Sequence, residues 1–167
     1  MSDIIKNKVA ESGIITLDLE KYFPTTEIVE FDIKDYLFMG MILKEKDFRQ
    51  SLKELDLEKY KEKLVAVTCS ADAVIPMWAY MLIASTLQPI AKEVSMGNKE
   101  DLKTKEIINN VKKINTEEYL DKRIVIKGCG EHPIPEGAYL EITKLLRPVA
   151  KSIMFGEPCS TVPIFKK

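Results

Sequence analysis

Apolar residues recur along this chain in two rhythms, and its second half repeats the order of its first. Ala79, Tyr80, Ile83 and Leu87 fall at helical spacing, so they form one stripe on a helix that Pro76 opens and Pro89 ends. Upstream, residues 44–55 (KEKDFRQSLKEL) put Phe48, Leu52 and Leu55 on one helical face. Between them LVAVTC (64–69) is short, apolar and rich in β-branched residues, which predicts a buried strand. The order then recurs: a helix over 103–114, a strand RIVIK (123–127), a loop over 128–134 and a helix led by Pro135. Strands are also expected at IITLDL (14–19), EIVEFDI (27–33) and LFMGMIL (37–43). A last one is STVPIF (160–165), where Pro163 marks an edge.

Sliding the chain by 59 positions lays residues 43–97 on 102–156 without a gap, and 17 of those 55 pairs are identical. Unrelated segments would agree at roughly one position in sixteen. Ten identities lie between Ile75/Ile134 and Gly97/Gly156, among them Pro76/Pro135, Tyr80/Tyr139 and Pro89/Pro148. Most of these positions serve structure: stripe residues, helix openers and breakers, and Gly97 as a helix stop. The expectation is a single domain over 1–167, α/β or α+β, with a mixed sheet flanked by helices. It would be built on a tandem duplication of helix-strand-loop-helix units (43–97 and 102–156), with N-terminal strands over 14–42 and the C-terminal strand 160–165. The charge-rich run 99–113 reads as a solvated helix face.

Composition narrows the class. With 167 residues, 46% hydrophobic and 31% charged, the chain is long enough for a sizeable core without staples. A net charge of -1 argues against a non-specific nucleic-acid binder. The N-terminus has no apolar leader, and the longest apolar stretch, 73–84, is too short to span a bilayer and contains Pro76. Three widely spaced cysteines do not make a disulfide framework, so a reducing cytoplasm is the expected location.

Chemistry concentrates in KGCGEHPIPEG, which holds Cys129 between two glycines and the only histidine, His132. Cys69 ends the first strand, and Cys159 follows Gly156-Glu157-Pro158, which reads as a tight turn. Asp72 and Glu131 fall at matching offsets just ahead of the Pro-led helices, where an acid also caps a helix. A helix N-terminus favours thiolate, the form that attacks and that ligates metal. Cys69, Cys129 and Cys159 with His132, Asp72 or Glu131 therefore make a candidate donor set for Zn or Fe, including an Fe–S cluster. Packing explains Cys69 as well. No phosphate-binding glycine motif and no G-x-S-x-G elbow occurs, and a Cys–His dyad on His132 is the weaker use of that residue. The balance leans away from an enzyme. Trp78, Met77 and Met81 are expected in the core or on a homodimer surface.

The segments VAVTCSADAVIPMWAYMLI (65–83), DIKDYLFMGMILKEKDFR (32–49) and GCG…PIPEGAYLEITKLLRPVAKSIMFGEPCSTVPIFKK (128–167) resemble the bacterial family known as domain of unknown function 2480. The likeness runs nearly the full length, and GEPCSTVP is its most specific part. The resemblance implies no established activity. By gene neighbourhood it implies a role beside sulfur mobilisation in iron–sulfur cluster assembly, with the assembly proteins as partners. Three readings follow: a cysteine-based metal or Fe–S-binding protein, a non-enzymatic interaction or scaffold module, and a thiol enzyme or persulfide carrier.

Overall fold

Seven strands form two sheets rather than the one mixed sheet expected from the pattern. The computed structural model describes residues 13–128, 130–157 and 160–167, and every count here refers to them. In chain order the elements are β1 (Ile14–Asp18), β2 (Ile28–Asp32), α1 (Glu45–Lys53), β3 (Leu64–Thr68), α2 (Met77–Leu87), β4 (Glu93–Met96), α3 (Lys99–Lys112), β5 (Arg123–Lys127), α4 (Glu136–Leu146), β6 (Ser152–Glu157) and β7 (Ser160–Lys166). The class is α/β. The chain divides into two compact units: Pro24–Lys105, and the chain up to Phe23 together with Glu106–Lys167. The division falls inside α3.

In the Pro24–Lys105 unit three parallel strands take the order β2-β3-β4. One face presents Val29, Phe31, Val65 and Val67 to Phe48 and Leu52 of α1 and to Ala79, Ile83 and Leu87 of α2. The other presents Ile28, Leu64 and Ala66 to Leu102 of α3. Because β3 is covered on both faces, its sequence is a continuous apolar run and not an alternation. Each large side chain so buried contributes roughly 1.5–3 kcal/mol. Ser95 is the one buried polar residue of the unit among those described. Its hydroxyl donates to Glu93 (2.9 Å) and accepts from Lys105 (2.5 Å), which satisfies it.

The other unit places β1-β5-β6-β7 in order, the first three parallel and β7 antiparallel to β6. Leu17, Ile124, Ile126 and Ile153 pack with Ile107 and Val111 of α3 and with Ala138, Ile142 and Leu146 of α4. β7 pairs only with β6, so it is the edge strand that Pro163 announced.

Several expectations need correction. Residues 37–43 are not a strand: Phe38 and Ile42 form one isolated bridge around a turn in which Met39 and Gly40 have φ of 53° and 71°. Gly97 does not stop a helix. It ends β4 at φ 117°, and Asn98 and Asp101 then cap α3 reciprocally, each backbone N–H donating to the other's side chain. Gly156 and Glu157 belong to β6, which the pattern missed, as it missed β4. No helix among the described residues is long and apolar enough to cross a membrane.

Candidate functional site

Parallel strands bring their C-terminal ends to one edge, where α/β sheets commonly bind ligands. In the Pro24–Lys105 unit Asp32 ends β2 beside the loop that follows β3. Its carboxylate accepts from the backbone N–H of Ser70 (3.0 Å), the Ser70 hydroxyl (2.5 Å) and the backbone N–H of Lys34 (3.0 Å). Burial alone would raise the Asp32 pKa. The Ser70 and Lys34 hydrogen bonds and the Lys34 charge outweigh it and hold the group below its ordinary 3.8. The loop so anchored carries Cys69, half-buried against the core, whose thiol donates to the carbonyl of Ala71 at 3.6 Å. Asp72 is exposed.

In the other unit the corresponding edge is formed by the ends of β1, β5 and β6. Lys127 ends β5 and Glu157 ends β6, and their side chains are ion-paired at 3.4 Å. Gly128 lies against Tyr139: a Cβ there would overlap the tyrosine hydroxyl and come within 2.6 Å of Cζ. Tyr139 in turn meets Phe155 edge-on at 5.7 Å. Gly130 lies against the Glu20 carboxylate in the same way. Glu20 Oε1 accepts from the backbone N–H of His132 at 2.9 Å, and the His132 ring is T-shaped to Phe23 at 6.0 Å. Both glycines around Cys129 thus answer to close approach by a side chain. Glu131 and His132 are exposed. Cys129 and Cys159 lie outside the described residues.

Of the expected donors, Cys69 and Asp72 belong to one unit and Glu131 and His132 to the other. Among the described residues no group of three or more His, Cys, Asp or Glu side chains could hold a metal ion. The capping reading of the two acids fails: Pro76 and Pro135 are themselves the N-caps of α2 and α4, with no side-chain cap bond. Trp78 is partly buried on the core beside Phe48, whereas Met77 and Met81 are 71% and 72% exposed.

Asp32, Glu20 and the Lys127–Glu157 pair were not singled out from the sequence. One signal was available. Asp18-Leu-Glu-Lys-Tyr22 and Asp32-Ile-Lys-Asp-Tyr36 share a pattern, and in both the aspartate caps a 3₁₀ turn at the strand end.

No curated protein and no solved structure matches the chain. A family model matches residues 3–167, and the chain belongs to the family described as Protein of unknown function (DUF2480).

Proposed function

We propose that the edge where β5 and β6 end is a thiol site. Cys129 and Cys159, together with His132 and Glu131, would take a zinc or iron ion or an iron–sulfur intermediate, as a cytoplasmic accessory to cluster assembly. The observation that carries it is the Lys127–Glu157 ion pair. It ties together the ends of two neighbouring strands, and each end is followed two residues later by a cysteine. Two thiols, an imidazole and a carboxylate suit Zn and Fe and suit Mg or Ca poorly.

The test is the zinc and iron content of protein purified without oxygen and without a metal-affinity column. Cys129→Ala and Cys159→Ala should each lose the bound metal, and Cys69→Ala reports whether that thiol contributes. Full metal content in both of the first two variants overturns the reading. A second reading, an interaction module, is favoured by Met77 and Met81, exposed at helical spacing at the start of α2, with exposed Val74 in the loop just before it. Under it, charge introduced at Met77 and Met81 abolishes capture of a desulfurase or scaffold protein, and loss of the cysteines does not.

We also infer that the chain arose by tandem duplication. Elements recur at the offset of 59: β3 and β5, α2 and α4, and the positive-φ pairs Glu62/Asp121 and Gly97/Gly156. Hydrogen bonds recur as well, Glu62 to Ile90 with Asp121 to Val149, and Lys92 to Lys63 with Lys151 to Lys122. On this reading each copy adds one of the two N-terminal strands to its sheet, β2 for the first and β1 for the second.

A further inference from the structure

A groove of about 390 Å³ opens at the opposite end of the β1-β5-β6-β7 sheet, away from the thiol edge. That volume is within the roughly 300–1,000 Å³ of ordinary small-molecule sites. Ile14, Arg123, Ser152 and Lys166 are neighbours in one row across the four strands, so strand register builds its mouth. Ile14, Met154 and Pro163 supply apolar surface, and Arg123, Lys151 and Lys166 supply positive charge. Among the described residues those three cations make no ion pair, and a fourth, Lys167, pairs only with exposed Asp121 at 3.7 Å. In a chain of net charge -1 this is a local excess of positive charge beside an apolar surface.

We propose that this groove binds an anionic amphiphile, its carboxylate or phosphate head among Arg123, Lys151 and Lys166 and its acyl chain along Met154, Pro163 and Ile14. Cationic side chains recognise such heads by charge-assisted hydrogen bonds, and an apolar wall adds the area-dependent term for the chain. Nucleic acid fits less well: the lining has a single aromatic ring, Phe165, and one of its faces is already taken by the Arg147 guanidinium at 3.6 Å.

The test is calorimetric titration of the full chain with sub-micellar dodecanoate, dodecyl phosphate, dodecanol and inorganic phosphate. Saturable binding of the first two is expected, with dodecanol and inorganic phosphate each weaker by about tenfold or more. Lys151→Glu with Lys166→Glu, both exposed, should weaken dodecanoate by about tenfold without changing the circular dichroism. Equal affinity for dodecanol, or for inorganic phosphate alone, overturns the proposal. So does unchanged binding by the double variant, or capture on phosphatidylglycerol vesicles with no binding of monomeric amphiphile.

Discussion

Tyr139 closes over Gly128, its hydroxyl standing where a Cβ of residue 128 would have to go. The ring also meets Phe155 edge-on at 5.7 Å, a contact it gives up if it swings aside. Gly128→Ala should therefore cost about 1–3 kcal/mol, the usual penalty of overpacking. Denaturant melts measure it. In a Tyr139→Leu background the same change should cost much less, because the two side chains compete for one space. An equal cost in both backgrounds would refute the steric account.

Asp32 links stability to pH. Its folded pKa lies below the ordinary 3.8, so its contribution is complete above 3.8 and fades as pH falls through the folded value. Because the group is largely solvated, the effect is small. Asp32→Asn should flatten the acid limb of the stability curve below pH 3.8 relative to wild type. Ser70→Ala should do the same in part, since it removes the hydroxyl that donates to Asp32.

Tyr60 gives the alkaline counterpart. Burial is the main cause that pushes its pKa up to about 12, and the negative charge of Tyr36, Asp35 and Asp56 adds to it. A raised folded pKa means stability that is full below the ordinary 10.0 and is lost as pH climbs toward 12. Tyr60→Phe should unfold less steeply over that interval and lose the last phenolate step in a spectrophotometric titration. Retention of that step would assign it to another tyrosine.

The helices could be read because burial repeats at 3.6 residues. Ala79, Ile83 and Leu87, and Ala138, Ile142 and Leu146, are all fully buried. Strand β3 was equally plain, being apolar on both faces. β4 was hidden because it has only four residues and its burial runs against polarity: Ser95 is buried, its hydroxyl and Glu93 taken up by Lys105 from α3, while Met96 is exposed. Residues 37–43 misled in the opposite way. Phe38, Met39, Met41 and Ile42 are apolar yet exposed, so composition there carried no information about burial. At the candidate site the expected loop residues were local and easy to name. Their organisers were not, because Glu20 reaches His132 across 112 positions and no local pattern reports such a contact.

Strand β7 has a consequence for how the molecule behaves at high concentration. A sheet of parallel strands ends in a row of unpaired amides and carbonyls, ready to recruit another chain. In the Pro24–Lys105 unit that hazard is limited by brevity and charge, since β4 has only four residues and begins with Glu93. In the other unit β6 is longer, and β7 turns back to cover it. β7 then carries Pro163, which has no amide proton, opposite Met154, where the register shifts between Ile153 and Met154, and it ends in Lys166. The last strand thus works as a terminator, leaving an outer edge on which a fibril would find a poor template.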